Sequence, residues 1–319
     1  MTATLSLDTV GLVSTRRFFC VRTKSERWWQ AAFASTAIYA AVITAHHLGA
    51  TSVASEQSEL DRVLRTKVVK VTCPLDYAPF GLRGCSGFAF GIDVDAAMAL
   101  ALTLDASVVI VPSSWPTLLA DFSRGETQIA IGGITPTLSR RRLAGFTTPY
   151  MHGGKVVIAR CGSPLLSRFL AALGNLSVLN VPDAVVIVNP GGTNEHVARE
   201  LLPRAQLQLT ESSVNGDQFA AVAAAPASSG FLTLTDSVEA SLQERRHSPL
   251  LCAASDHLLT QDAKAFMLPR DDEAWRIYVD AWLDEWAAAR DASIAHWTGV
   301  IASNVTYCDT SRGARIVSS

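Results

Sequence analysis

Beyond residue 60 the chain alternates between two apolar rhythms. Short runs rich in β-branched residues predict strands: "KVVKVTC" (67–73), "SVVIVPS" (107–113), "TQIAIGG" (127–133), "KVVIARC" (155–161), "AVVIVNPGG" (184–192) and "FLTLTD" (231–236). Between them stand helix-patterned stretches, "GIDVDAAMALALTL", "WPTLLADF", "SPLLSRFLAALG", "TNEHVARELL" and "NGDQFAAVAAA". Strands alternating with helices predict an α/β fold with a parallel or mixed sheet. The nearly continuous apolar character of the runs predicts strands covered on both faces. A final helix is expected from about 271 to about 300, where Trp275, Trp282 and Trp286 recur at spacings of seven and four on one face. Such a stripe predicts core packing ahead of an aromatic ligand box. The closing "TSRGARIVSS" reads as a disordered tail.

In open α/β sheets ligands bind outside the carboxyl ends of strands. Here polar and turn-forming residues collect at those ends. "VTC" leads into Pro74 and Asp76, "IAIGG" carries Gly133 and leads into Thr135 and Arg140, "VVIVNPGG" leads into Thr193 and Asn194, and "FLTL" leads into Thr235, Asp236 and Glu239. Each alone reads as a turn or a helix cap. Their repetition at four strand ends points to one shared cleft.

Charge and composition narrow the classes. With 49% apolar and 18% charged residues the chain is expected to fold. A net charge of −2, with no basic stripe and no finger spacing, gives no reason to expect nucleic acid. Residues 1–54 differ from the rest. Arg16, Arg17, Arg22, Lys24 and Arg27 precede the apolar "AAFASTAIYAAVITA" (31–45), and Ser52 and Ala54 fit a signal-peptidase site. The segment reads as a secretory signal peptide with a long basic leader. The alternative is an uncleaved membrane anchor across 28–50. Cleavage would leave a net charge of −5. Cys73, Cys85, Cys161, Cys252 and Cys308 would remain after cleavage, and five cysteines cannot all pair. Without CxxC or HExxH, and with His152, His196 and His257 at no metal-ligand spacing, no metal site is expected.

Four constellations carry candidate chemistry. "NPGGTNE" sets two glycines before a helix, a place for an anion or a simple turn capped by Thr193. Of Arg140, Arg141 and Arg142, one can clamp a carboxylate with paired hydrogen bonds, and at least two are expected to be exposed. Trp115, after "VVIVPSS", either stacks on a flat ligand or caps the core. Asp236 and Glu239 lie three positions apart, close to one helical turn, so both can face the same space.

"LDYAPF", "GFAFGIDVDAAMALA", "GGITPTLSRRRLAGFTTPY" and the late "TD" resemble the extracellular solute-binding proteins for polar amino acids, over about residues 60–300. The resemblance implies a periplasmic-binding-protein type II fold, two α/β lobes joined by two crossover strands and closing on a ligand between them. Its implied boundaries are 60–153 for the first part of lobe 1, 154–253 for lobe 2, 254–300 for the return to lobe 1 and 301–319 for a flexible tail. It matches Arg140 to the arginine that binds a ligand's α-carboxylate, and Asp236 to the aspartate that binds its α-ammonium. Within that family, "SSWPTLL", "AVVIVNPGGTNEHVAREL", "TDSVEASL", "SPLLCA" and "AFMLPRDDEAWRIYVDAWL" resemble the cyclohexadienyl dehydratases. That resemblance implies a lyase converting prephenate to phenylpyruvate, or arogenate to phenylalanine, with no metal or organic cofactor. Glu239 matches its general acid, and Trp115 and Asn194 match substrate-site positions. A non-catalytic amino-acid binding protein is the rival reading. The small-molecule substrate is the one partner implied, with a membrane only if residues 1–54 are retained. The same framework sets Cys161 and Cys252 at the two crossings, "IARC" and "LLCA", where an exported protein would join them. Cys73 and Cys85 form a weaker second pair.

The implied chemistry gives the two acids separate tasks. The ring becomes aromatic by losing carbon dioxide and hydroxide together, and hydroxide needs a proton to leave. An ordinary glutamate near pKa 4.3 would hold that proton in about one molecule in five hundred at pH 7. Burial beside Asp236 would raise the value.

Overall fold

The computed structural model describes residues 57–302, 307–308 and 313–317. The leader, its expected cleavage and Cys20 lie outside them.

The run at 67–73 forms Val68–Cys73, an interior strand of a nine-stranded sheet. It pairs in parallel with Ser107–Pro112 on one side and Ile129–Ala130 on the other. Beyond Ser107–Pro112 come Ala314–Ile316, Phe88–Phe90, Gly81–Arg83 and Asp76–Tyr77; beyond Ile129–Ala130 come Met267–Leu268 and Gly145–Phe146. These outer strands are two or three residues long, too short to show a period in sequence.

A second sheet runs Gln206–Leu209, Val185–Val188, Phe231–Asp236, Lys155–Arg160, Leu251–Ala253. Its pleat explains the continuous apolar runs. Val157 and Ala159 enter one buried cluster with Val186, Val188, Leu232 and Leu234, while Val156 and Ile158 enter another with Ile187 and Phe219. Alternate residues thus fill opposite faces, and helices cover both. The chain passes between the sheets through a two-stranded ribbon, Met151–Gly153 against Asp262–Lys264.

The final helix, Glu273–Ala302, packs on Ile92–Thr103. Trp275, Trp282 and Trp286 are buried in the first sheet's core, and Trp275 Nε1 donates to the carbonyl of Gln128 at 2.8 Å. None of the described helices is long and apolar enough to cross a membrane.

Three expectations are corrected. Residues 314–316 are not a free tail. They run antiparallel to Phe88–Phe90 and parallel to Ser107–Pro112, satisfying ladder groups on both, and Cys308 is bonded to Cys85. Cys85 therefore does not pair with Cys73, which is a buried free thiol packed against Gly81 and Gly132. Cys161 and Cys252 are joined (S–S 2.03 Å), but within the second sheet rather than at crossings: Cys252 sits opposite Ala159 on the neighbouring strand, and the crossing is the ribbon.

Candidate active site

Strand ends from both sheets converge on one cleft lined mainly by polar side chains. Trp115, Gly133, Thr135, Arg140, Thr193, Asn194 and Asp236 all line it. The structure adds Tyr77, Lys155, Asn189, Gly192, Asn215 and Lys264.

Asp236 ends the strand Phe231–Asp236 and opens the helix Ser237–Arg246. Its Oδ2 accepts from Lys155 Nζ at 2.9 Å, from Lys264 Nζ at 2.7 Å and from the Tyr77 hydroxyl. Burial disfavours its charge, but the two ammonium groups and these hydrogen bonds outweigh that and hold the carboxyl well below the usual range. Its Oδ1 is buried without a partner among the described residues. Lys264 also donates to Thr135 Oγ1 at 3.1 Å. Burial pulls its pKa down, opposed by the Asp236 charge.

Glu239, one turn further on, is fully buried and stands behind the lining. Oε1 accepts from Asn215 Nδ2 at 2.5 Å and from Gln243 Nε2 at 3.2 Å, and Oε2 accepts from the Thr235 hydroxyl at 2.5 Å. Burial raises its pKa to about 7 despite these three donors, and the Asp236 charge adds to the rise. Asp76 is also one layer back. It accepts from Trp115 Nε1 and from the Asn215 backbone N–H, each at 3.0 Å, and burial raises it to about 6. Trp115 is packed in the core, as one sequence alternative has it, and also lines the cleft, edge-on to Tyr77 at 5.7 Å.

Arg140 turns toward the cleft from the short helix Leu138–Arg141, its Nη1 bonded to the Thr135 carbonyl at 2.9 Å. Burial lowers its pKa to about 10, far above neutrality, so it remains a cation. Arg141 and Arg142 are exposed, the former lying over Phe146. The "IAIGG" turn is fixed by buried Asp93, whose Oδ2 accepts from the N–H groups of Gly132 and Gly133, each at 2.8 Å. Gly133 has φ +69°, and a Cβ there would stand 2.5 Å from Phe80 and 2.7 Å from Tyr77. In "NPGGTNE" the cap of the helix Thr193–Leu201 is Gly192, not Thr193, and no side chain caps it. Gly191, at φ +81°, abuts Pro116 so closely that a Cβ would lie 2.7 Å from its Cα.

Sequence reasoning overlooked both lysines. Each is a lone lysine in an apolar strand run, "GGKVVIA" and "DAKAFML", and lysine is seldom buried unpaired. That signal marks them as groups with a partner. Tyr77, Asn189 and Asn215 carried no comparable mark.

A model of bacterial extracellular solute-binding proteins, family 3, matches residues 69–299. Cyclohexadienyl dehydratase of Pseudomonas aeruginosa is 38% identical over 253 residues, covering 78% of this chain and 90% of that protein. A crystal structure of an ancestral amino acid-binding protein, described as a precursor of cyclohexadienyl dehydratase, superposes with a TM-score of 0.65 at 25% identity, covering 76% of this chain and all of that one. A cysteine-binding protein from Campylobacter jejuni shares the fold, with a TM-score of 0.64 at 17% identity over 79% of this chain and all of that one. Two sheets bridged by a ribbon, a cleft lined from both and a family match spanning them have one common explanation: this chain belongs to the bacterial extracellular solute-binding proteins, family 3.

Proposed function

We propose that the protein is an exported cyclohexadienyl dehydratase, a carbon–oxygen lyase acting on prephenate or arogenate. The observation that carries this reading is Glu239. At a pKa of about 7 it holds a proton in about half the molecules at neutral pH, against about one in five hundred for an ordinary glutamate. The 38% identity to a dehydratase over most of both chains supports it. Family membership supports export to the periplasm or beyond, with residues 1–54 as the cleaved signal.

In this reading Arg140 anchors the side-chain carboxylate with its remaining N–H groups, and Trp115 packs on the ring. The bond to the ring carboxylate breaks, its electron pair enters the ring, and carbon dioxide leaves. The carbon–oxygen bond on the far side of the ring breaks at the same time, and the hydroxyl departs as water with the proton of Glu239. Glu239 reaches that hydroxyl when Asn215, which stands between it and the cleft, yields its contact with Oε1 to the substrate. A positioned acid contributes roughly 10²- to 10⁴-fold in rate. The remainder is orientation and charge.

The rival reading is a binding protein that holds an amino acid without turnover. The unpartnered Oδ1 of Asp236 favours it, since that position matches the family's ammonium-binding aspartate. Incubating the purified protein with prephenate and following phenylpyruvate decides between them. Turnover abolished by Glu239→Gln is the expected result, and no turnover by the wild-type protein leaves the binding-protein reading.

A further inference from the structure

The charged side chains lining the cleft are Arg140, Lys155, Lys264 and Asp236, three cations against one anion. Lys155 and Lys264 are 1% and 5% exposed. Both spend their charge on the same oxygen of the same carboxylate, so one aspartate serves two buried ammonium groups. Uncompensated charge in a poorly solvated cleft is costly, and a ligand that supplies anions relieves it. The acids behind the lining, Asp76, Glu239 and Asp93, temper this charge at longer range but make no ion pair with the three cations among the described residues. Asp76 is tied to Trp115 and Asn215, and Glu239 is tied to Asn215, Thr235 and Gln243.

Hydrogen-bond capacity points the same way. An ammonium has three donors. Lys155 uses one on Asp236, and Lys264 uses one on Asp236 and one on Thr135, so three N–H groups remain for a ligand. Arg140 uses one of its five on Thr135. Against these donors, among the described residues lining the cleft, the one anionic acceptor without a partner is Asp236 Oδ1. A ligand ammonium at Oδ1 would join two ammonium groups already held by the other oxygen of that carboxylate, and like charges so placed repel.

We infer that the cleft selects a dianion without an ammonium group, so that prephenate is preferred to arogenate and to free α-amino acids, with Lys264 as a residue that sets this preference. The inference rests on the dehydratase reading. The two substrates differ at one place: prephenate carries a ketone, an acceptor that the spare lysine N–H groups can meet, where arogenate carries an ammonium. Asp236 then acts as the counter-ion that fixes two lysines, rather than as an amine receptor.

The test compares kcat/KM for prephenate and arogenate with the full-length protein at pH 7.5. Prephenate should be favoured about tenfold or more. Lys264→Met should narrow that ratio at least threefold, and Lys264→Arg should retain it. Equal or better use of arogenate by the wild-type protein overturns the inference and leaves the dehydratase reading standing, whether or not the variants fold. If neither compound turns over, the dehydratase reading falls, and calorimetric binding still decides the charge argument. Prephenate bound more tightly than L-arginine or L-glutamine upholds it, and the reverse order overturns it.

Discussion

The side-chain amide of Asn215 donates to Glu239 Oε1 at 2.5 Å while its backbone N–H donates to Asp76 Oδ2 at 3.0 Å. Asp76 belongs to the nine-stranded sheet, and Glu239 follows the last parallel strand of the other. Asn215 therefore ties the acid of one sheet to the strand Asp76–Tyr77 of the other. Because the Asn215 amide favours the carboxylate form in the ligand-free protein, Asn215→Ala should raise the Glu239 pKa and move the alkaline limb of the kcat/KM–pH profile up by about one pH unit, the equivalent of ~1.4 kcal/mol. A residue with a purely structural role would lower activity without moving that limb. An unmoved limb in the variant would remove Asn215 from the acid's environment.

Glu239 itself sets the sign of the pH dependence. The acid works protonated, so kcat/KM should be flat below about pH 7 and fall about tenfold per pH unit above it. Glu239→Gln should lower kcat by roughly 10²- to 10⁴-fold. Stability follows the same proton. The folded pKa is raised from 4.5 to about 7, so the native state binds the proton more tightly than the unfolded chain, and stability is lost as pH rises between those values. Glu239→Gln cannot ionise, and relative to wild type it should gain on the order of 1–3 kcal/mol on going from pH 5 to pH 8 in denaturant unfolding. A constant difference across that range would mean that Glu239 is charged in the native protein throughout.

What the sequence discloses here depends on how far each feature extends along the chain. Val68–Cys73, Ser107–Pro112 and Lys155–Arg160 are legible because each is a six-residue run dominated by β-branched residues, although of the three Lys155–Arg160 alone is buried nearly throughout. Asp76–Tyr77 and Met267–Leu268 are not, since two residues carry no period and owe their pairing to distant strands. The same division holds in the cleft. Asp236, Thr193 and Asn194 announce themselves as polar residues at strand ends. Lys155 and Lys264 sit inside apolar runs, and nothing local indicates that both reach Asp236, 81 and 28 positions away. Asp76 and Glu239 look like cleft residues in sequence yet stand one layer behind it, because Trp115 and Asn215 fill the space in front of them.

Arg140 should prove the carboxylate anchor among the three arginines. It alone of the three lines the cleft, and it has no carboxylate partner among the described residues. Losing one side of a desolvated charge pair costs on the order of 2–5 kcal/mol, or roughly thirty- to several-thousand-fold in affinity. Arg140→Ala should show that loss when prephenate or a stable analogue is titrated. Arg141→Ala and Arg142→Ala remove exposed charges and should change affinity by less than about threefold. Wild-type affinity in Arg140→Ala would place the anchor elsewhere, with the lysine pair the next candidates.

The Cys161–Cys252 bond closes a loop across 91 positions that contains most of the second sheet. Constraining so long a loop in the unfolded chain is worth roughly 2–5 kcal/mol. Replacing both cysteines by Ala should lower unfolding free energy by that order, with a smaller effect on kcat because neither residue lines the cleft. Non-reducing peptide mapping should recover the two cysteines in one linked fragment. Recovery of Cys161 as a free thiol from oxidised protein refutes the linkage.

The C-terminal strand makes the most direct demand on the chain's end. Ala314–Ile316 lies between Phe88–Phe90 and Ser107–Pro112 and bonds to both, and Ala314 is buried. Removing it unpairs two strands at once, leaving ladder N–H and C=O groups to water, and removes the tie from Cys308 to Cys85. Ending the chain after Ala302 should therefore destabilise the first sheet by about 2–5 kcal/mol, an amount typical of a lost native disulfide alone. Thermal unfolding of the truncated protein measures it. The double replacement of Cys85 and Cys308 by Ser, which keeps the strand, separates the two contributions: a truncation that loses more stability than the double replacement assigns the difference to the strand. A truncated protein that melts with the full chain would return residues 314–316 to the free tail that their sequence suggests.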